Sequence, residues 1–284
     1  RSPGEGADTT SHRAPRATRR LHRASKSAVR VLGLTYVVAA VMMAGFADRL
    51  IFFPPLPSYG EGTEGLVRFT SALGDDIAAV HDVDPDAPLT VLFAHGNAED
   101  VGDGATHFAR YRVLGPSVLA FDYPGYGLSS GTPSEKGSYA AADAAYDYLI
   151  AQGVRPEAIV MHGRSLGGAV MVDLASRRRA AGLVIESSFV SAYRVVTRVP
   201  LLPLDQFSSL RKLRDVHVPV LIVHGDRDEV IPFWHGRRLF DVVPADQRSA
   251  LWVEGAGHND LLEVAGERYW DALATFLAKI EAAL

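Results

Sequence analysis

The stretch Met161-His162-Gly163-Arg164-Ser165-Leu166-Gly167-Gly168 constrains this chain more than any other. It is a G-x-S-x-G pattern with a second glycine behind it. The apolar run Ala158-Ile159-Val160-Met161 leads into it, and a helix-compatible run, Ala169 to Ser176, follows. A chain that turns this sharply from strand to helix leaves its serine on a strained corner with the hydroxyl pushed outward. Side chains two residues before and two after that serine would meet neighbouring backbone, and glycine removes the Cβ that would clash. The helix that begins after the corner aims its free N–H groups and positive dipole end at charge forming near Ser165. The pattern therefore predicts a nucleophilic serine between a buried strand and a buried helix.

Two later loops hold the partners such a serine needs. The buried-strand pattern Val218-Pro219-Val220-Leu221-Ile222-Val223 runs into His224-Gly225-Asp226-Arg227-Asp228-Glu229-Val230-Ile231-Pro232. A further strand, Ala250-Leu251-Trp252-Val253, runs into Glu254-Gly255-Ala256-Gly257-His258-Asn259-Asp260. A histidine suits the work because its unperturbed pKa of ~6.5 lets it both take and give a proton near neutral pH. A carboxylate beside it would fix its tautomer and stabilise the imidazolium.

The order serine, aspartate, histidine, each after a successive strand, resembles the α/β-hydrolase superfamily. The resemblance covers roughly residues 50 to 280. It rests on five blocks in the family's order: Phe52-Phe53-Pro54, His95-Gly96-Asn97, Asp122-Tyr123-Pro124-Gly125-Tyr126-Gly127-Leu128-Ser129, the elbow, and the two late loops. The chain looks most like the small-lid, membrane-tethered branch that includes the α/β-hydrolase-domain depalmitoylases. The resemblance implies an α/β-hydrolase fold, with a mainly parallel sheet flanked by helices and a short lid insertion. It implies a catalytic set of Ser165, Asp228 and His258, with Asp226 as the competing acid. For the oxyanion it implies the backbone N–H groups of Asn97 and Leu166, with Ala98 one position away. His95 and His224 would shape loops without transferring protons, and Tyr123 to Ser129 would prop the oxyanion loop.

Other chemistries find no support in the residues. The chain has no cysteine, hence no disulfide framework, thiolate nucleophile or thiolate metal site. Its histidines show no H-E-x-x-H or similar spacing, and no lysine follows the glycine-rich loop as a phosphate loop would require. No cofactor and no metal are expected. With 48% hydrophobic and 22% charged residues, the composition allows a substantial buried sheet. Strand-like and helix-like runs alternate from Leu89 onward, with helices predicted over Ser138–Gln152, Leu166–Ser176, His235–Val242 and Asp260–Leu284. Gly65–Ala72 and Ile77–Val83 read as an antiparallel hairpin at the sheet edge. The lid falls at about residues 189–216, where the run Pro200-Leu201-Leu202-Pro203-Leu204 could line an acyl pocket, touch a membrane or pack on the core.

The first thirty residues are a different material. They hold eight Arg or Lys against Glu5 and Asp8, too polar a run to bury a core, and read as a basic disordered tail. An uncharged segment, Val31 to Ala47, comes next. As a helix it would cover ~26 Å, close to the thickness of a bilayer core. Residues 31–49 are therefore read as a transmembrane or signal-anchor segment, and 50–284 as the catalytic domain. The basic cluster predicts a cytoplasmic N-terminus with the catalytic domain exported. A signal peptide cleaved after Gly45-Phe46-Ala47, giving a secreted or periplasmic enzyme, and a docked N-terminal helix are the competing readings.

The expected protein is a serine hydrolase that cleaves a carboxylic ester or thioester through an acyl-enzyme. A serine peptidase or amidase, or a catalytically silent binding protein on the same fold, would be the alternative. Its partners are a small-molecule or acylated substrate and a membrane, with no nucleic acid.

Overall fold

The computed structural model describes residues 29–38, 51–196 and 205–284. Eight strands form one sheet: β1 (Leu66–Thr70), β2 (Asp76–Asp82), β3 (Thr90–Ala94), β4 (Ser117–Phe121), β5 (Ile159–Arg164), β6 (Gly182–Glu186), β7 (Val220–Gly225) and β8 (Arg248–Val253). Their spatial order is β1-β2-β4-β3-β5-β6-β7-β8. The first two make the antiparallel edge hairpin, with Leu66 opposite Val80. From β4 through β8 every pairing is parallel. Parallel strands need long crossovers, and the helices that supply them cover both sheet faces. That is why β3 and β4 are buried at every position and read as continuous apolar runs.

The helices that matter here are α1 (Ala105–Leu114), α2 (Glu135–Ala151), α3 (Leu166–Ala175), α4 (Trp234–Val242) and α5 (Glu267–Glu281). Side chains alternate across the sheet and split the core in two. Leu92, Leu119 and Met161 join Leu149 of α2, Val170 of α3 and Leu239 of α4 on one face. Val91, Phe93 and Val118 join Tyr111 of α1 and Leu273 and Phe276 of α5 on the other.

The structure corrects the predicted elements in places. The helix expected from Ser138 begins at Glu135, because Ser134 accepts a hydrogen bond from Gly137 N–H and caps it. The single helix expected over Asp260–Leu284 breaks at Gly266 into Leu261–Ala265 and α5. The sequence reading omitted α1. Of the lid, residues 189–196 and 205–216 are described: a helical turn, Ala192–Val196, and a second, Ser209–Lys212. The Pro-Leu-Leu-Pro-Leu run lies outside the described residues. Phe207 is buried and packs edge-on against Phe52, Tyr139 and Phe189, which ties the described lid to the core.

The chain divides into two units, Arg1–Phe46 and Ala47–Leu284. In the first, residues 29–38 are helical, while the basic tail up to residue 28 lies outside the described residues. The expected anchor is described only in part, since residues 39–50 also lie outside them. Among the described residues no helix is long and apolar enough to cross a membrane.

Candidate active site

The turn from β5 into α3 forces Ser165 to φ 52° and ψ −113°, a conformation costly for any residue with a side chain. The corner persists because its surroundings over-determine it. Ser165 N–H donates to Glu186 O at 2.8 Å, and Ser188 Oγ–H donates to Ser165 O at 2.7 Å. A Cβ at Gly163 would lie 2.1 Å from Gly167 O, and one at Gly167 would lie 2.1 Å from Ala94 O. Both glycines of the motif are thus required by backbone approaching backbone, as the sequence predicts. The second contact also presses the end of β3 and its loop against the start of α3.

The structure brings Ser165, His258 and Asp228 into one hydrogen-bonded chain. Ser165 Oγ lies 3.1 Å from His258 Nε2, and His258 Nδ1 lies 2.7 Å from Asp228 Oδ2. All three residues are buried, each on a loop at the carboxyl end of a parallel strand. With Nδ1–H donating to the carboxylate, Nε2 turns its lone pair toward the serine hydroxyl. Asp228 Oδ1 accepts from Val230 N–H at 3.0 Å and Ile231 N–H at 2.6 Å. Burial by itself would raise the Asp228 carboxyl. Hydrogen bonds from His224, His258 and the Ile231 N–H outweigh it and hold the group well below the usual carboxylate range. Asp226, the competing acid, is exposed and accepts from Gly255 N–H at 2.7 Å, so it braces the two late loops and does not meet His258.

Among the described residues, the backbone N–H groups of Asn97 and Leu166 donate to no protein acceptor. The Asn97 side chain is occupied in holding the segment that leads toward β1: Oδ1 accepts from Tyr126 OH at 2.7 Å and Phe53 N–H at 3.2 Å, and Nδ2 donates to Ile51 O at 2.5 Å. Phe52 between them is buried against the rings of Tyr126 and Phe207. The histidines read as loop-shapers sit accordingly. His95 Nδ1–H donates to Gly96 O at 2.7 Å, and Tyr123 OH donates to His95 O at 2.7 Å. His224 Nε2–H donates to Ile231 O at 2.8 Å and closes the loop that carries Asp228. Among the described residues no cluster of three His, Asp or Glu side chains is arranged to hold a metal ion.

The sequence reading missed a polar cluster beneath these loops, built around Glu186 at the end of β6. Its carboxylate is buried with His162 Nε2 at 3.3 Å, Arg164 Nε at 3.4 Å, His107 Nε2 at 3.8 Å and the Tyr269 hydroxyl at 2.5 Å. Burial alone would raise the Glu186 carboxyl, but the imidazoles of His107 and His162 outweigh it and hold it well below the usual range. Burial lowers His162, whose Nδ1 accepts from the Tyr111 hydroxyl. Both shifts act in one direction. A depressed carboxylate lends stability that is complete above its unfolded pKa of ~4.3 and lost as pH falls through the folded value; a depressed histidine does the same from ~6.5 downward. The melting midpoint should therefore hold above pH ~7 and fall in two stages below it. Glu186→Gln should make the lower stage shallower, leaving the part that Asp228 contributes, and an unchanged slope below pH ~4 in that variant would refute the assignment.

The chain is similar to several known proteins. Residues 91–205 match the Alpha/beta hydrolase family. The Xenopus laevis alpha/beta hydrolase domain-containing protein 17B is 40% identical over 199 residues, 69% of this chain and 68% of that protein. The Homo sapiens alpha/beta hydrolase domain-containing protein 17C is 41% identical over the same length, 68% of this chain and 59% of that protein. The chain spans 63% of the Xenopus tropicalis 17C protein, so it matches these relatives over part of their length. Among solved structures, the Pyrococcus furiosus esterase Pf2001 superposes with a TM-score of 0.65 at 18% identity, over 80% of this chain and 99% of its own. A Paleococcus ferrophilus monoacylglycerol lipase gives 0.59 at 20% identity, over 72% of this chain and 99% of its own. At these identities the structures speak for a shared fold.

Proposed function

The chain belongs to the α/β-hydrolase family, and on that footing we propose that it is a serine hydrolase cleaving a carboxylic ester or thioester of a small or acylated substrate. The observation that carries the reading is the hydrogen-bond chain from Ser165 through His258 to Asp228. Ser165 Oγ attacks the carbonyl carbon while His258 Nε2 takes its proton. The oxygen gains charge as the carbon becomes tetrahedral, and the N–H groups of Asn97 and Leu166 meet that charge. Collapse expels the alcohol or thiol, protonated by His258, and leaves Ser165 acylated. Water, deprotonated by the same histidine, then releases the acid. Asp228 stays ionised throughout and stabilises the imidazolium of each step. The test is turnover of p-nitrophenyl esters of increasing acyl length beside an acyl-cysteine peptide and an aminopeptidase substrate. Cleavage of the ester or thioester supports the reading; cleavage of the peptide alone overturns it in favour of a peptidase.

The N-terminal part completes the proposal. Residues 31–47 act as a retained membrane anchor, with the N-terminus cytoplasmic and the catalytic domain on the far side. The support is an uncharged run that as a helix would cover ~26 Å, just short of the ~30 Å bilayer core, with basic residues gathered on one side. Deleting residues 1–49 should release the catalytic domain from membranes with its activity retained. Deleting through Phe53 should cost more than ~10-fold in kcat, because Asn97 loses the Ile51 and Phe53 backbone partners that hold an oxyanion donor in place. Fractionation and turnover of the two truncations check both statements, and a full-length protein found soluble without cleavage would end the anchor reading.

A further inference from the structure

Arg164 occupies the free position of the elbow motif, immediately before the nucleophile. Its guanidinium reaches across the loops that carry the rest of the site. Nη2 donates to His258 O at 3.2 Å and to Asn259 Oδ1 at 3.3 Å. Nη1 donates to the Glu99 carboxylate. The other oxygen of that carboxylate accepts from Gly96 N–H at 2.8 Å, in the loop that carries Asn97. Nε faces Glu186 Oε1 at 3.4 Å, and Glu186 is held in turn by the Tyr269 hydroxyl of α5. Space for the pair is built into the loop: a Cβ at Gly96 would sit 2.9 Å from Glu99 Oε2 and 3.0 Å from Arg164 Nη1. The Arg164 side chain is only 12% exposed, so solvent competes weakly for these bonds.

We propose that Arg164 is a positioning residue that locks the histidine loop to the oxyanion loop through the Arg164–Glu99 pair. Resting on the serine hydrolase reading above, the inference gives the elbow a second task. One side chain adjoining the nucleophile sets the height of His258 and, through Glu99 and Gly96, the place of the Asn97 N–H. The base and an oxyanion donor then sit in one frame relative to Ser165. The guanidinium spreads its donors over three nitrogens held in one rigid plane and so spans acceptors on separate loops, whereas a lysine ammonium offers its three donors from a single point on a flexible stem.

The test compares Arg164→Lys, Arg164→Gln and Glu99→Gln, with Ser165→Ala beside them. Turnover is expressed per Ser165 labelled by a fluorophosphonate at saturation, so misfolded protein drops out. Displacing a catalytic group by about an ångström costs up to ~100-fold. Arg164→Gln should approach that loss in kcat and Arg164→Lys should lose ~10-fold, both with KM within ~2-fold of the parent. Glu99→Gln should reproduce part of the loss. Added to Arg164→Gln it should cost little more, because the two act as one unit. If Arg164→Gln does not fold, the lysine variant and Glu99→Gln decide the matter. Undiminished kcat per labelled site in those variants, or additive losses, would overturn the inference. Turnover surviving in Ser165→Ala would instead overturn the hydrolase reading beneath it.

Discussion

Ser165→Ala is expected to lower kcat by ~10⁶-fold, to the residue of catalysis that binding and oxyanion stabilisation alone supply. Labelling by a fluorophosphonate should disappear with it. The chain has no cysteine, and the neighbouring Ser188 hydroxyl is committed to Ser165 O at 2.7 Å. The fold should survive, since alanine keeps the Cβ that the φ of 52° must already accommodate and loses only the hydroxyl. A melting midpoint close to the parent's, measured beside the activity, separates lost chemistry from lost structure. Labelling at another serine, or turnover that persists, would remove the serine mechanism altogether.

The parts of this molecule that could be read from its sequence are those fixed over short stretches of chain. The elbow is one, because the whole G-x-S-x-G pattern lies within five residues and Gly163 is demanded by the backbone of Gly167 only four positions on, although Gly167 itself answers to the distant Ala94 carbonyl. The edge hairpin is another, its two strands joined by a turn at Gly74 with φ 88°. The order of the three loops that carry Ser165, Asp228 and His258 is legible because each follows its own apolar strand. By contrast, α1 carries Ala105-Thr106-His107-Phe108-Ala109-Arg110 with no continuous apolar stripe, and only His107 and Tyr111 are buried. Nothing periodic announces it. The break at Gly266 leaves only an irregularity in the apolar period, too slight to divide one predicted helix into two.

The polar cluster under the site was illegible for a different reason. Arg164 meets Glu99 and His258 across 65 and 94 residues of sequence, and Glu186 meets Tyr269 across 83. No local pattern marks Glu186, a charged residue ending an apolar strand, as the centre of an arrangement. Only parallel packing of β3, β5 and β6 brings those strand ends together. The same distance effect explains why Asn97 could be assigned a backbone role from its motif while its side-chain grip on Ile51 and Phe53 could not.

The choice between Asp226 and Asp228 shows what geometry adds to spacing, and it yields the second large expected effect. Both aspartates follow β7, two residues apart, and in a tight loop that separation turns them to different neighbours. Asp228 points inward: one oxygen takes His258 Nδ1–H, and the other takes two backbone N–H groups. An asparagine there keeps the shape but puts an amide where both sides need an acceptor. If its oxygen serves the loop, its NH2 faces His258 and favours the tautomer with the proton on Nε2, which cannot accept from Ser165. Asp228→Asn should therefore lower kcat by ~10⁴-fold, the loss a serine protease suffers from the same change, with KM nearly unaltered. Asp226→Asn keeps an oxygen for Gly255 N–H on an exposed loop and should cost at most a few-fold in kcat. Steady-state kinetics on the two purified variants, matched for melting midpoint, decides between them. The reverse ranking would transfer the acid's role to Asp226 and require the late loops to rearrange on binding substrate.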